Sequence, residues 1–463
     1  MLVTLSAAEA TSAAAVQLAI DRVDLGGGGT VVLPAMELEL DRGLEMRSGV
    51  ELRGQGSSTI LRKGPGRVWP LAGYHNYGMM DVPLESTAGL TVGMTVSVHD
   101  GSAHGGFYET FAVITWVDAA GGWIGLDRGI DADYSATDHP MVATSYPVVF
   151  GHAVSDVQLV DLHIEGNAAD QDKKMGGCRG GAVYFAQSHS IELRGVSEAD
   201  YDGEGLSFQM CRDVRVLGCT FDRNSGNGLH PQMHKQPPPP GIINQINISE
   251  RSSHLLHRGA GSTNCLFDGC SASGNAMSGF FFCVRATRIT VTGCTLARNN
   301  TGVSIGTRDC YNHIDGCTVV NNQSAGVFVR PTPVPTEVHS ILIEGCVISG
   351  NGKTSGGSDS GHDDAQVVIT SDAHDIVLVG NVIERGIAMA ASIGLLSTEN
   401  VTAVALQGNN FGDDLVADTA ELGAAELVHS TSALPPAFEC GYAAPEAPRD
   451  GVWFRHLPLT ARL

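Results

Sequence analysis

A short motif recurs five times along the middle of the chain: a Gly-Cys pair, with an asparagine five residues after the cysteine. The step from Cys270 to Cys294 is 24 residues, and the step from Cys294 to Cys317 is 23. A fixed step of this length is typical of solenoids, in which each repeat forms one coil stacked on its neighbours. The repeat therefore predicts a solenoid. Its cysteine–asparagine pairs are Cys219/Asn224, Cys270/Asn275, Cys294/Asn299, Cys317/Asn322 and Cys346/Asn351.

The composition fits many short strands joined by tight turns. Of 463 residues, 58 are glycine and only 17 % are charged, with a formal net charge of −22. Such an acidic chain lacks the basic surface that phosphate contacts need, so we expect no nucleic-acid partner. No apolar run is long enough for a membrane span, so we also expect no membrane partner. No signal peptide is visible. This favours a cytoplasmic location, or secretion with the signal already removed.

The cysteines point to packing rather than to metal. There are 11, an odd number, and no two are spaced as Cys-x-x-Cys, which argues against zinc. Five occupy equivalent repeat positions, so we expect them to stack inside the solenoid as small apolar side chains. We expect the repeat asparagines to form a hydrogen-bonded ladder along one turn. No cofactor is required by these patterns.

The register of the repeat divides the chain. An Ala-rich stretch at 6–22 predicts one helix with Ser6 as its cap. The step from Cys219 to Cys270 is 51 residues, and removing the 27 residues Gln232–Arg258 restores 24, which predicts a loop insertion. The coils are expected to begin near Ser155, His189, Arg212, Asn264, Thr287, Cys310, His339 and His374. The predicted units are an N-terminal cap with the first coils at 1–65, an inserted β subdomain at 66–150, the main β-helix at 151–430 with its insertion at 232–258, and a C-terminal tail packing on the solenoid at 431–463.

The opening of the chain resembles a known superfamily. The segments AVQLAIDRV, GGGGTVVLP, SGVELRGQG and STIL are similar to the start of pectate-lyase-like right-handed parallel β-helix proteins. The resemblance covers this opening and the later repeats. It implies an all-β, right-handed parallel β-helix whose N-terminal helix closes one end. Because that superfamily hosts lyases, hydrolases, epimerases and adhesins, the reaction must be argued from the site.

Strand alternation predicts which side chains face outward on one sheet. Side chains on a strand point alternately to the two faces. We expect the inward set to be Leu206, Leu229, Phe280, Val303 and Val327, followed two residues later by Phe208, Phe282, Ile305 and Val329. We expect the outward set to be Ser207, His230, Phe281, Ser304 and Phe328, followed by Gln209, Cys283, Arg330, Arg285 and Arg308.

Three arginines recur at nearly the solenoid step. Arg285, Arg308 and Arg330 are separated by 23 and 22 residues, so neighbouring coils should bring them close together. Guanidinium groups suit carboxylate or sulfate. We predict Arg285 as a catalytic residue and Arg308 and Arg330 as substrate-binding residues. The alternative is that they pair with carboxylates of the coil turns, for which Asp309, Glu344 and Asp268 are the candidates.

Carboxylates and a histidine occupy the coils before these arginines. Asp202 and Glu204 lie in the turn that leads to one strand, and His230 lies on the next coil. Carboxylates near an imidazole can carry out proton transfer, so we predict His230, Asp202 and Glu204 as catalytic. The alternatives are a solvated acidic turn, calcium bound through Asp200 and Asp202, and a surface histidine that caps a turn. Further substrate-binding candidates are Gln209, Phe281, Lys173 and Lys174.

Three functions remain open from the sequence. A polysaccharide lyase would use arginine to neutralise a uronate carboxylate and His230 as the base, with Lys173 or Lys174 as second candidates. A glycoside hydrolase or glycan transferase would use Asp202 and Glu204. GEGLSF and GVSIGTR resemble coils of polygalacturonases, but the Asp-Asp pair and Gly-His-Gly element of that family are missing. The third function is a non-catalytic glycan-binding β-helix, for which a homotrimer is an option since related proteins form trimers.

Overall fold

The chain winds as a parallel β-helix built from three sheets, called A, B and C. The computed structural model describes residues 1–100, 110–130, 132–172, 180–232, 261–332, 334–352, 365–370, 372–387, 390–398, 400–421, 427–429 and 440–443. Each complete coil contributes one strand to sheet A, then one to sheet B, then one to sheet C. Neighbouring coils pair in parallel, as the sequence predicts.

Sheet A has 13 strands and contains the predicted coil starts. Seven of the eight predicted starts are the first residues of strands, and Asn264 is the second residue of its strand. The strands are Leu2–Thr4, Gly29–Val32, Val50–Arg53, Ser155–Val160, His189–Arg194, Arg212–Leu217, Thr263–Asp268, Thr287–Thr292, Cys310–Asp315, His339–Glu344, His374–Val379, Thr402–Gln407 and Leu427–His429.

Sheets B and C have 11 strands each and complete the coils. The strands of sheet B are Met36–Leu40, Thr59–Lys63, His163–Glu165, Ser197–Ala199, Thr220–Asp222, Ser271–Ser273, Thr295–Ala297, Thr318–Val320, Val347–Ser349, Val382–Glu384 and Asn410–Phe411. The strands of sheet C are Leu44–Glu45, Val149–His152, Gly181–Ala186, Glu204–Gln209, Leu229–Gln232, Ser278–Phe281, Thr301–Ile305, Val327–Val329, Ala365–Ile369, Ile393–Ser397 and Ala417–Glu421.

One α-helix, Ala13–Leu25, lies before the first complete coil. It starts later than predicted because Ser12, and not Ser6, is its N-cap: the Ser12 hydroxyl accepts a hydrogen bond from the Ala15 amide at 3.2 Å. Ser6 instead forms a separate local turn, in which its amide and its hydroxyl both donate to the Glu9 carboxylate. No helix in the described part of the chain is long and apolar enough to cross a membrane. Two short 3₁₀ helices are Ala136–Asp138 and Ala168–Asp170.

A six-stranded sheet with its own apolar core interrupts the early coils. The predicted C-terminal limit of this subdomain, residue 150, falls inside a solenoid strand, because Val149–His152 already pairs with Gly181–Ala186 of sheet C. The strands of the inserted sheet are Val68–Pro70, Asp81–Pro83, Thr95–His99, Thr110–Asp118, Trp123–Leu126 and Met141–Ala143.

The two coils on either side of the 51-residue step from Cys219 to Cys270 are direct neighbours in the structure. Strand Arg212–Leu217 pairs in register with Thr263–Asp268. Gln232, predicted as the first residue of the loop insertion, is instead the last residue of a sheet C strand. The remainder of the predicted insertion, 233–258, lies outside the described residues. Of the predicted C-terminal tail, residues 440–443 contact sheet A, where the Gly441 amide donates to the Tyr311 carbonyl.

The repeat cysteines and asparagines form the two predicted ladders. All five cysteines are 1 % exposed, and the Cys270 amide donates to the Cys294 sulfur at 3.3 Å. Along the next turn, the amide and side chain of Asn275 both donate to Asn299 Oδ1, at 3.0 and 2.9 Å. The same pattern continues from Asn299 to Asn322 and onward. Each side chain thereby supplies the partners that buried amide groups of a turn require.

Candidate functional site

One row of side chains runs along the outer face of sheet C. Ser207 pairs in register with His230, Phe281 pairs with Ser304, and Ser304 pairs with Phe328. The predicted inward residues of the same strands are fully buried in the solenoid core, so the predicted alternation is confirmed. Tyr184 joins the outer row next to Ser207.

His230 and Glu204 form a buried pair within this row. The His230 Nδ1 atom lies 2.8 Å from Glu204 Oε2, and the two side chains are at most 1 % exposed. Asn227 Nδ2 donates to both Glu204 oxygens at 3.1 Å. The Glu204 carboxylate therefore has a defined orientation, and it fixes the orientation of the imidazole through Nδ1. Neither residue is a surface group, which excludes the solvated-turn and turn-capping interpretations for this pair.

The surroundings of His230 determine its charge. Burial disfavours the charged imidazole, but the Glu204 carboxylate and the nearby Cys283 thiol outweigh burial and raise the pKa of His230 to about 10. The imidazole is therefore protonated at neutral pH, so Nδ1 donates to Glu204 and Nε2 carries the second proton. We predicted His230 as a base. The raised pKa favours the role of proton donor over that of base.

The His230–Glu204 pair should make stability depend on pH. The folded pKa, about 10, lies above the ordinary value of 6.5, so the pair stabilises the fold below the ordinary value. That stability should be lost as the pH rises through the folded pKa. Between pH 6.5 and about pH 10, the urea concentration at the midpoint of unfolding should fall more steeply for the wild type than for His230→Gln. Equal slopes in the two proteins would contradict the ion pair.

A cation and an aromatic ring lie beside the pair. The Phe281 ring packs edge-on against His230, with centroids 4.8 Å apart, and the Arg330 guanidinium lies over the same ring at 4.1 Å. Arg330 also donates to the Ser304 hydroxyl at 2.6 Å and to the Phe282 carbonyl at 2.9 Å. Phe281, Cys283 and Arg330 are partly exposed, and His230 is not. The arrangement places a positive charge and an aromatic surface at the border of a buried proton donor.

The structure divides the predicted cluster of three arginines. The Arg330 side chain reaches Ser304 and the Phe282 carbonyl on earlier coils of sheet C. Arg285 and Arg308 instead lie together at the turn that leads from sheet C to sheet A. Burial and then the charge of Arg308 lower the pKa of Arg285 to about 10. The predicted carboxylate partner Asp309 is influenced by the charge of Arg330, and its oxygens accept from the amides of Ala286 and Gly306 at 2.9 and 2.7 Å.

The two aspartates near Glu204 have separate surroundings. Asp200 forms a two-point ion pair with Arg223, at 2.9 and 2.6 Å. Asp202 is 1 % exposed, and its charge acts on Lys63, which is itself fully buried. Burial is the larger influence on Lys63 and lowers its pKa to about 8. Arg223 already neutralises Asp200, and the calcium site at Asp200 and Asp202 stays a prediction.

The remaining predicted binding residues have mixed outcomes. Gln209 is 3 % exposed, and its Oε1 accepts from the Tyr184 hydroxyl at 2.7 Å. It therefore holds Tyr184 in place within the outer row. Lys173 and Lys174 lie outside the described residues. Asn227 was not identified from the sequence. Asn227 follows Glu204 by 23 residues, one solenoid step, which is the signal that could have identified it.

Sheet A carries a separate group of potential ligands. Among the residues that the structure describes, the side chains of His313, Asp315 and Glu344 place three ligand atoms within 4.8 Å of one another. His313 Nε2 already lies 3.4 Å from Glu344, and Thr292 donates to Asp315 at 3.0 Å. These groups are partly exposed and partnered, and we assign no metal to them.

Comparisons with known proteins identify the fold. Residues 241–383 match a family model described as a right-handed β-helix region. The A-module of the Azotobacter vinelandii mannuronan C-5 epimerase AlgE4 superposes with a TM-score of 0.53 at 14 % identity, covering 90 % of this chain and 95 % of that chain. PfbA, a surface adhesin of Streptococcus pneumoniae, gives a TM-score of 0.43 at 12 % identity, covering 89 % of each chain.

A phage protein gives a weaker superposition. The tailspike protein gp49 of Pseudomonas phage LKA1 gives a TM-score of 0.35 at 14 % identity, covering 91 % of this chain and 74 % of that chain. No curated protein matches the sequence. At these identities the similarity concerns the fold. Together with the three stacked parallel sheets, the family model and the AlgE4 superposition show the fold of a right-handed parallel β-helix.

Proposed function

We propose that this protein is a polysaccharide lyase that acts on a uronate-containing glycan lying along the outer face of sheet C. One observation carries the proposal: the buried His230–Glu204 pair adjoins the Arg330 guanidinium over Phe281. Guanidinium binds carboxylate well, and an aromatic face suits the apolar side of a sugar ring. A solenoid face also lets a chain-like ligand contact several coils at once.

The chemistry that this arrangement favours is β-elimination. Arg330 would neutralise the uronate carboxylate, which makes the adjacent C5 proton more acidic. That proton leaves to a base, the C4–C5 double bond forms, the C4–O bond breaks, and the departing oxygen takes the proton from His230 Nε2. For the base we retain Lys173 and Lys174, the sequence-based candidates outside the described residues.

Glu204 acts in this proposal through His230. Its oxygens are held by Asn227 and by the imidazole, so it orients His230 and keeps it protonated. Because His230 Nε2 is buried in the unliganded protein, binding of the glycan must expose this atom. We propose that turnover requires no calcium.

A glycoside hydrolase is supported less well by the same contacts. Hydrolysis needs one carboxyl group as acid and a second as base or nucleophile on the same sugar. Glu204 is hydrogen-bonded to Asn227 and ion-paired with His230, and the charge of Asp202 acts on the buried Lys63. Glycan binding without turnover remains an outcome that the tests below separate from catalysis.

Arg330 provides the direct test of the substrate class. We expect Arg330→Gln to lower kcat/KM on a polyuronate by about 10- to 100-fold, the value of one charge-assisted interaction. The control is Arg194→Gln, which removes the same charge from an exposed position on sheet A. The measurement is the rate of formation of unsaturated uronate products from a panel of plant, algal and animal polysaccharides. Equal rates for Arg330→Gln and the wild type would overturn the assignment of Arg330.

A further inference from the structure

Arg285 is a buried cation with no hydrogen-bond partner for its side chain in the described part of the protein. Its residue exposure is 5 %, and its Nε, Nη1 and Nη2 atoms are all buried. None of the three nitrogens has a hydrogen-bond partner among the residues that the structure describes. Arginine carries its charge at all physiological pH values, so it cannot escape this environment by losing a proton. An unpaired buried charge is costly, and such groups are rare in folded proteins.

A second arginine adds to the cost. Arg308 occupies the equivalent turn of the next coil, and its charge lowers the pKa of Arg285. Its own Nε atom is buried and without a hydrogen-bond partner in the described part of the chain. Two like charges side by side repel each other. The fold therefore concentrates positive charge at one turn of a protein whose net charge is −22.

The nearby carboxylates do not relieve this charge. Asp309 directs both oxygens at backbone amides beneath the turn, and Glu344 lies against His313 on sheet A. The neighbouring cysteines are no substitute: burial raises the pKa of the Cys310 thiol to about 12, which keeps it neutral. Among the residues that the structure describes, the only charges that act on Arg285 are those of Arg308 and Cys310, so a bound anion is a suitable source of the missing counter-charge.

We propose that Arg285 and Arg308 form a binding site for a single oxyanion group, a carboxylate or a sulfate, at the turn between sheets C and A. Two planar guanidinium groups offer several N–H donors to such an anion. Arg285 follows Phe281 by four residues, so the site lies at the end of a strand that carries the outer row of sheet C. The source of the oxyanion is either an acid group of a glycan or a free inorganic ion. The site stands independently of the lyase reaction.

The test compares stability and anion binding in one set of variants. Sodium sulfate should raise the Tm of the wild type more than sodium chloride does at equal ionic strength. Arg285→Gln should have a higher Tm than the wild type without sulfate, because the variant removes a repelled, unpaired charge. It should also bind sulfate about 10- to 100-fold more weakly by calorimetry. Arg194→Gln is the control and should keep the sulfate response.

Opposite results would overturn the proposal. A lower Tm for Arg285→Gln in sulfate-free buffer would make Arg285 a structural residue, and an unchanged sulfate affinity would remove it from the site. Should Arg285→Gln fail to fold, the partly exposed Arg308→Gln replaces it, with the same expected loss of sulfate affinity.

A competition experiment identifies the source of the oxyanion. An oligouronate that depends on Arg285 for binding and is displaced by sulfate supports the site with a glycan acid group as ligand. Sulfate binding that depends on Arg285, with no oligouronate binding, supports it with a free anion as ligand. Both readouts are binding constants. A protein that binds the anion but forms no unsaturated product would therefore contradict the lyase proposal and leave this one intact.

Discussion

Replacing His230 with glutamine is expected to reduce kcat on the polyuronate substrate by about 10²- to 10⁴-fold, the usual contribution of a positioned acid or base. Glutamine can still hydrogen-bond to Glu204 inside the same space, but it cannot carry the proton that the leaving oxygen needs. The measurement is the initial rate of unsaturated product formation at neutral pH. His339→Gln, an imidazole replacement on sheet A, is the matched control. Full turnover by His230→Gln would remove His230 from the mechanism.

A companion variant separates positioning from proton transfer. Glu204→Gln keeps a polar side chain beside the imidazole but removes the charge that holds the pKa of His230 at about 10. The basic limb of the pH–rate profile should therefore move toward the ordinary histidine value of 6.5. A purely structural role of Glu204 would lower the rate at every pH without moving that limb.

Replacing Asn299 with leucine is expected to lower the free energy of unfolding by about 3–5 kcal/mol, since each buried group left unsatisfied costs about 1–3 kcal/mol. Asn299 is 0 % exposed and accepts two hydrogen bonds from Asn275. It also donates to Ala272 and to Asn322. Leucine breaks all four contacts and interrupts the ladder between two coils.

The neighbouring Asn300 provides the control for this measurement. It is exposed and lies outside the ladder, so Asn300→Ala should change stability by less than about 0.5 kcal/mol. Urea unfolding, followed by circular dichroism, gives both values. Similar losses in Asn299→Leu and Asn300→Ala would show that the ladder does not hold the coils together.

The periodic features of this fold could be predicted because each coil repeats the same physical problem. The starts of the sheet A strands follow from the spacing of the Gly-Cys motif, and the buried positions of Leu229, Phe280 and Val303 follow from alternation. The helix start could not be fixed in this way. Ser6 and Ser12 both precede apolar residues, and only the contact with Ala15 decides between them.

Side-chain direction is the part of the site that the sequence could not supply. The steps between Arg285, Arg308 and Arg330 predict one cluster, but Arg330 contacts Ser304 on the preceding coil and the Phe282 carbonyl two coils away. The burial of His230 also depends on stacking across coils. A buried imidazole beside a carboxylate holds its proton more tightly, which raises the pKa of His230.

We propose that the outer face of sheet C eliminates across C4 and C5 of a bound uronate, with His230 as proton donor. Proton NMR of a polyuronate incubated with the protein in D₂O distinguishes this reaction from its alternatives. We expect new vinylic signals from unsaturated chain ends, present with the wild type and lost with His230→Gln. New reducing ends without vinylic signals would indicate hydrolysis. Exchange at C5 without chain cleavage would indicate epimerisation, the reaction named for the AlgE4 module. Either of these results, or unsaturated products at the wild-type rate from His230→Gln, would contradict the account.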